Sequence, residues 1–241
     1  MPDAAGGTGS ARATDDRVAQ EIRDVRARWR TRQVLDAAVR LMHGSGFQAV
    51  SMQALAKEAD VSVGLIYSYF GGKEDVVVAV VLDLVEQIRS AMQERMAAAG
   101  ADPVERLVAG FAAYCSVMDA QRNAGLLTYR QSGELGQQAR LRLKEAERVN
   151  LGPLRDAAQE AADSALLVDT ADLDLLAFDL MILAQTWALK HWHFPDDYDV
   201  HRYVAAQAAT LLRSVLAPAQ HERYRHLIHP RDTEQGSRTA P

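Results

Sequence analysis

Several things are scarce in this 241-residue chain, and each absence narrows the choice of protein class. The single cysteine, Cys115, excludes an intramolecular disulfide and is typical of a reducing compartment. Only seven prolines interrupt long segments rich in Ala, Leu, Arg and Glu, and alternating β-branched positions are nearly absent, which favours an all-α fold. The longest aliphatic run, Val76 to Val85, contains Asp83 and is too short to span a bilayer. No apolar run near the start resembles a signal peptide, so we expect a cytoplasmic protein with no membrane contact.

Positive charge is scarce overall but concentrated in one segment. The net charge is −5 at pH 7, yet residues 22–75 carry eight Arg and Lys against six Asp and Glu. Residues 76–241 carry a net charge of −5. Because specific DNA binding needs a basic face and not a basic protein, the acidic total does not exclude a DNA-binding function.

The segment from Ser51 to Lys73, SMQALAKEADVSVGLIYSYFGGK, divides into two short helical patterns joined by a turn. Ser51 and Ser62 are each suited to be the N-cap of one helix. Asp60 suits the tight turn between them, and Gly71 with the next glycine ends the second helix. These are the elements of a helix-turn-helix, whose second helix can enter a DNA major groove.

The second half of this segment resembles the TetR/AcrR family of bacterial transcriptional regulators. From Asp60 to Asp75 the chain reads DVSVGLIYSYFGGKED, with a small residue, an aliphatic, Tyr and an aromatic pair before a turn and Lys. The preceding GFQAVSMQALAKEA fits the same family, and the resemblance is specific over roughly residues 30–75. It implies an all-α fold, in which an N-terminal three-helix helix-turn-helix DNA-binding domain is joined by a long helix to a C-terminal helical ligand-binding and dimerisation domain.

Composition and periodicity divide the chain into four segments. We expect a disordered N-terminal tail over 1–21, the DNA-binding domain over 22–75, the effector-binding and dimerisation domain over 76–217, and a polar C-terminal tail over 218–241. A helical pattern over 74–99 joins the two domains, and another over 138–162 is expected to break or bend at Pro153. The pattern beginning near Asp172 is apolar almost all round, so a partner subunit is the expected cover for its second side.

The resemblance also implies which residues contact DNA. By their motif positions, Ser51, Tyr67, Tyr69 and Lys73 are expected to bind phosphates. Base edges are expected to face Gln53, Ser62, Val63, Gly64 and Leu65. Phosphate contacts set the register, while base-edge contacts carry the sequence information. Val63 and Leu65 offer only apolar contact, so much of the readout falls to Gln53, Ser62 and DNA shape.

An arginine-rich stretch precedes the first well-patterned helix. Among its arginines, Arg30 and Arg32 are candidates for additional phosphate or minor-groove contacts. The alternative is a solvated, charged lead-in to the helix, and the sequence leaves both interpretations open.

A second site is suggested by apolar side chains on the helical pattern that begins at Pro103. They form either plain core or the wall of a small-molecule cavity. The candidate ligand-binding residues are Phe111, Tyr114, Cys115, Met118, Tyr129, Arg130, Trp187 and His191. YRQSGEL and WALKHW resemble segments of family members associated with fatty-acid or acyl-thioester metabolism. The effector that this resemblance implies first is an acyl-coenzyme A or fatty acid derivative, and second an aromatic or drug-like compound.

The sequence offers little support for catalysis or metal binding. Histidines two apart in HWH project to different helix faces, whereas metal-binding pairs usually sit three or four apart. No nucleophile elbow, phosphate-binding glycine loop or paired-carboxylate site is recognisable, so we expect no enzyme activity, metal or cofactor.

Together these observations predict a transcriptional regulator that responds to a ligand. The leading hypothesis is a repressor that binds a palindromic double-stranded DNA operator as a homodimer and is released by a small molecule. The family resemblance implies that the homodimer forms through the last two long helices. One alternative is an architectural DNA-binding protein without an effector. Another is a ligand-binding module or enzyme with a vestigial helix-turn-helix.

Overall fold

The computed structural model describes residues 8–46, 49–131 and 135–230, and the fold over these residues is all-α. Apart from one isolated antiparallel bridge between Leu167 and Leu216, the described residues contain no strand pairing. The chain forms two compact units that divide between Ala79 and Val80, four residues beyond the boundary expected from the sequence.

The first unit contains α1 (Thr8–Ser45), α2 (Met52–Glu58), α3 (Val63–Phe70) and the start of α4 (Lys73–Ala98). The expectation of disorder over 1–21 is wrong from Thr8 onward, because α1 includes those residues; residues 1–7 lie outside the described part. The physical reason is local: from Ala11 the sequence contains neither Gly nor Pro until residue 44 and is rich in Ala and Arg, both good helix formers.

Packing in the first unit follows the sequence pattern. The face of α1 that is buried includes Val34, Leu35 and Ala38. Helix α2 packs against both α1 and α3. Leu55 of α2 and Ile66 of α3 are completely inaccessible to solvent, so the two short helices are held by side chains spaced for helical burial.

In its described residues, the second unit consists of the rest of α4, two short 3-10 helices and six α-helices. The α-helices are α5 (Pro103–Ala120), α6 (Arg122–Gln131), α7 (Gln137–Asp163), α8 (Leu173–Lys190), α9 (Val200–Val215) and α10 (Arg225–Ile228). Helix α5 is the centre of this unit, since it packs against α6, α7, α8 and α9. Its own start matches the prediction: Pro103 is in the first turn, and the Asp102 side chain accepts hydrogen bonds from two backbone N–H groups.

The sequence predicted that the helix would break or bend at Pro153. Helix α7 continues through this proline without a break. Proline removes only one backbone N–H, and the turns around it are anchored by packing. Asn150, Leu154, Ala157 and Ala158 are all buried, so tertiary contacts stabilise the helix on both sides of the proline.

The C-terminal segment is not a free tail, at least as far as residue 230. Tyr224 and Ile228 are almost completely buried. The Tyr224 hydroxyl and the Arg223 guanidinium both reach the Asp102 carboxylate, and His226 lies 2.7 Å from Glu105. Because this stretch is polar overall, its composition did not indicate that Tyr224 and Ile228 are buried. Residues 231–241 lie outside the described part.

Candidate DNA-binding surface and ligand cavity

The turn between α2 and α3 is fixed by caps at both of its ends. Ser51 Oγ accepts from the Ala54 N–H at 3.1 Å, and Ser62 Oγ accepts from the Leu65 N–H at 3.2 Å. Between them, Asp60 has φ of +50°, a left-handed conformation in which Asp and Asn are the most tolerant residues after Gly. The Val61 N–H donates back to the Ala56 carbonyl, which completes the helix end.

The expected base-facing residues lie at the start of α3 with mixed exposure. Ser62 and Gly64 are exposed, Val63 and Leu65 are half-buried, and Gln53 of α2 is exposed. A Cβ atom added to Gly64 would meet no atom within 4 Å, and its φ is ordinary for a helix. Nothing within the protein therefore requires glycine at this position.

The expected phosphate-binding residues divide into two groups. Tyr67 and Tyr69 are exposed by 51% and 44%, which is high for aromatic side chains on a short helix. Lys73, in contrast, is half-buried, and its Nζ donates a 3.0 Å hydrogen bond to the Val50 carbonyl. Lys73 thus holds the residue before the Ser51 cap, a structural role that the sequence did not reveal.

The two candidate arginines lie on α1. Arg30 is exposed, while Arg32 is half-exposed and forms an ion pair with Asp36 one turn later at 3.1 Å. The arginine-rich stretch is therefore helical, and the described backbone shows no flexible arm between residues 8 and 45.

A cavity of about 370 Å³ lies within the second unit, between α4, α5, α6, α7 and α8. Its size falls within the range of small-molecule sites. One wall consists of Val81, Leu84, Val85 and Ile88 of α4, all on one face of that helix. Of the predicted ligand-binding residues, Tyr114, Met118 and Tyr129 line it.

A few polar groups face this largely apolar space. Gln185 Nε2 donates to the Tyr114 hydroxyl at 3.3 Å, and burial raises the pKa of Tyr114 to about 12. Glu147 of α7 also lines the cavity, and burial raises the pKa of its carboxyl above the usual value. Arg140 and Lys144 lie on the same face of α7, so this wall combines two cations with one partly buried acid.

Four of the predicted ligand-binding residues do not line this cavity. Phe111 and Cys115 are fully buried in the core, and burial raises the pKa of the Cys115 thiol. Trp187 is buried too, with its indole N–H donating to Asp119 at 2.7 Å. His191 lies in a short 3-10 turn after α8. The side chain of Arg130, the remaining predicted ligand-binding residue, lies outside the described part.

The sequence reasoning missed the wall formed by α7. Arg140, Leu143, Lys144 and Glu147 follow the i, i+3, i+4, i+7 spacing of a single helix face. A stripe that mixes charge with one leucine is usually solvated, so its spacing alone gave no reason to expect a cavity wall. Only the neighbouring apolar face of α4 makes it one.

Two features of other protein classes are absent from the described residues. No helix there is long and apolar enough to cross a membrane. In that same part of the chain, no three His, Cys, Asp or Glu side chains are grouped as metal ligands would be.

Two short capped helices, a tight turn and an exposed second helix define a helix-turn-helix DNA-binding protein. Residues 34–80 match the family described as bacterial regulatory proteins, tetR family. The chain is 34% identical over 178 residues to the HTH-type transcriptional regulator HbdR of Aromatoleum sp. (strain CIB), covering 73% of this chain and 76% of that protein. The chain belongs to the TetR family of transcriptional regulators.

Solved structures of low sequence identity share the fold. One is the FadR regulator of Bacillus subtilis in complex with stearoyl-CoA, with a TM-score of 0.62 and 22% identity, covering 75% of this chain and 95% of that one. Another is AibR in complex with isovaleryl coenzyme A and operator DNA, with a TM-score of 0.64 and 19% identity, covering 77% and 99%. These similarities confirm the expected two-part helical architecture.

Proposed function

We propose that this regulator is a dimeric repressor whose release from a palindromic operator is triggered by a small apolar ligand, most simply an acyl-coenzyme A. The observation that carries the proposal is the cavity of about 370 Å³ in the second unit, lined by apolar side chains and a few polar groups. An effector-independent architectural protein would have a filled core there. A vestigial helix-turn-helix would have no reason to keep exposed tyrosines on α3.

On the DNA side, the exposed N-terminal part of α3 enters the major groove, with Ser62, Val63, Gly64 and Leu65 at base edges and Gln53 beside them. Tyr67, Tyr69, Ser51 and Lys73 bind phosphates. An ammonium carries three N–H donors, and the bond from Lys73 to the Val50 carbonyl uses one of them. Arg30 and Arg32 add phosphate contacts from α1.

The dimer forms through α8 and α9. Leu175, Phe178 and Ile182 of α8 are exposed by 53%, 46% and 38%, and their spacing of three and four residues places them on one face. Exposed large apolar residues grouped on one helix face mark an interaction surface. Because a single recognition helix reads few base pairs, two copies on a two-fold symmetric site provide the specificity.

The charged side chains of α7 bear on the choice between the candidate ligands. A free fatty acid would bring a second carboxylate to the wall of α7, where Glu147 repels it while Arg140 and Lys144 attract it. A thioester is neutral at its carbonyl and avoids this repulsion. The names of the two solved structures with coenzyme A thioesters support the same ligand class.

Coupling between ligand and DNA requires only that the ligand prefer the conformation that binds the operator less well. Helix α4 carries this difference, since it contributes four cavity residues and begins at Lys73. A ligand that shifts α4 therefore acts on the helix whose first residue is a proposed phosphate contact.

The proposal is tested by selecting bound DNA sequences and then titrating the complex with saturated acyl-coenzyme A thioesters of two to ten carbons, benzoyl-coenzyme A and the corresponding free acids. We expect thioesters to bind in isothermal titration and to release the operator, with free acids weaker. Absence of heat for every thioester, with DNA binding unchanged throughout, would contradict the ligand assignment.

A further inference from the structure

The N-terminal half of α1 carries an exposed apolar stripe. Ile22, Val25 and Trp29 are exposed by 46%, 59% and 65%, and their spacing of three and four residues places them on one face of the helix. Single exposed apolar residues are common on protein surfaces, whereas a group of them marks an interaction surface. One aromatic and two β-branched side chains are also poor helix formers, so helix propensity does not account for them.

This stripe is not a continuation of the core face of α1. At about 3.6 residues per turn, the buried Val34, Leu35 and Ala38 lie on almost the opposite side of the helix from it. Among the described side chains of α1, none before residue 34 is buried. The stripe is therefore left uncovered by the described part of the chain. It also offers no donor to a phosphate, so the DNA contacts proposed for the arginines of α1 do not account for it.

The spacing of the stripe favours another helix as its cover. Apolar residues at alternating intervals of three and four form the seam of a two-helix coiled coil. The pattern continues one step towards the N-terminus, since the sequence has valine at position 18, four residues before Ile22. A helix gains most of its stability from the packing of such a face, so a second helix on this seam would stabilise α1 where the first unit does not.

The charges along α1 are complementary to those of a second copy of α1 in the antiparallel orientation. Residues 25–32 contain four arginines and no acid, while residues 15–22 contain three acids and one arginine. In a parallel pair, the two arginine-rich segments would lie side by side and repel each other. In an antiparallel pair centred between residues 23 and 24, each arginine-rich segment lies beside the acidic segment of the other copy.

The apolar residues fit the same antiparallel pair. With its centre between residues 23 and 24, Ile22 lies opposite Val25 of the second copy, and Val25 opposite Ile22. Trp29 lies opposite position 18, where the smaller valine leaves room for the indole. A parallel pair would instead place two Trp29 side chains against each other in one layer.

We propose that the N-terminal half of α1 pairs with the same segment of a second copy of this chain as an antiparallel two-helix coiled coil, with Ile22 opposite Val25 at its centre. The pair is self-complementary about a two-fold axis, as a contact between identical surfaces requires. It is a different contact from the dimer proposed through α8 and α9, and it does not depend on the identity of the ligand.

Disulfide formation in the full chain tests the register of this pair. The double variant Ile22→Cys/Val25→Cys places thiols opposite each other, so we expect a covalent dimer on non-reducing gels after mild oxidation. Each single variant should cross-link about tenfold more slowly, because in an antiparallel pair each position faces the other and not itself. The native Cys115 is buried and does not compete.

The matched control for cross-linking is Ala27→Cys/Arg30→Cys, which has the same spacing on a different face of α1. It should cross-link as slowly as the single variants. Equal rates for this control and the seam variant would show random collision and overturn the proposal. Single variants that cross-link as fast as the double variant would show a parallel pair and overturn it as well.

Sedimentation equilibrium on the full chain measures the contribution of the seam. Val25→Glu should weaken self-association about tenfold, because the pair would have to bury a carboxylate between apolar side chains. Ala27→Glu adds the same charge on the opposite side of α1 and should leave self-association unchanged. Equal self-association of the wild type and both variants would overturn the proposal. So would a loss of affinity for a single operator in Val25→Glu with self-association unchanged, since the stripe would then lie against DNA.

Discussion

At Gly64, near the start of α3, we expect folding and DNA binding to favour different residues. In the free protein, a Cβ atom at Gly64 would have no neighbour within 4 Å, and the backbone there is ordinary helix. Replacing a helical glycine by alanine on an open surface stabilises by roughly 0.5–1 kcal/mol, since alanine loses less backbone entropy. Gly64→Ala should therefore raise the thermal midpoint by a few degrees.

The same substitution should weaken operator binding. If the backbone of α3 approaches the base edges at Gly64, the added methyl group occupies the space of a base contact, and such contacts are worth about 1–3 kcal/mol. We expect operator affinity to fall at least tenfold in fluorescence anisotropy, with the operator taken from DNA selection. Affinity for unrelated DNA should hardly change, because it depends on phosphate contacts.

Ser68→Ala provides the control for helix stability. Ser68 is exposed on the same helix, its Oγ bonds to the Leu65 carbonyl, and alanine is the better helix former. This variant should be slightly stabilised without a loss of operator affinity. The reasoning about Gly64 is refuted if Gly64→Ala is more stable and still binds the operator as the wild type does.

Four further predictions follow from individual contacts. Lys73→Ala should weaken binding to all DNA sequences alike and reduce the slope of log affinity against log salt concentration by about one. It should also cost about 1 kcal/mol of stability, because the bond to the Val50 carbonyl is lost. An unchanged slope in binding titrations at several salt concentrations would contradict the phosphate role. Ala165→Gly should raise the free energy of unfolding by about 1 kcal/mol in urea titrations, because residue 165 has φ of +53° at the end of α7; no gain would mean that the position carries no strain. For Asp102, burial raises the pKa, but hydrogen bonds from the Glu105 N–H, the Tyr224 hydroxyl and the Val104 N–H outweigh it and hold the pKa below the ordinary 3.8. The stabilisation is therefore present above about pH 4 and is lost as the pH falls through the lowered value, so the stability difference between wild type and Asp102→Asn should shrink below that pH; a constant difference would refute this. Glu147→Gln should strengthen the binding of free fatty acids severalfold in calorimetry while leaving thioesters unchanged, and equal changes for both would rule out charge repulsion as the basis of discrimination.

Much of the helix-turn-helix could be predicted because its determinants are local. The Ser51 and Ser62 caps, the turn at Asp60 and the end at Gly71 each depend on residues within four positions along the chain. Capping and left-handed turns are short-range effects of side-chain oxygens and steric limits, so the sequence pattern contains them directly. The start of α5 at Pro103 was predictable for the same reason.

Errors arose where a segment's own composition competes with distant partners. The stretch from residue 218 is polar, yet it is held because Tyr224 bonds to Asp102, more than one hundred residues earlier. Pro153 would end an isolated helix, but the buried residues around it keep α7 continuous. For the first residues of α1, disorder was predicted where the structure has a helix. The Gly-rich start of the chain suggested disorder, although helix-forming residues follow it.

By itself, the sequence determined the family, the all-α class and the two capped helices that present α3, because these depend on short-range contacts and helical periodicity. Only the tertiary structure decided which apolar residues form core and which form a cavity wall. Phe111, Tyr114, Cys115 and Met118 share one apolar face in the sequence, but only Tyr114 and Met118 reach the cavity. The reason is that a cavity is a space between helices, and its lining depends on how α4 and α7 lie beside α5, which the period of any one helix does not contain.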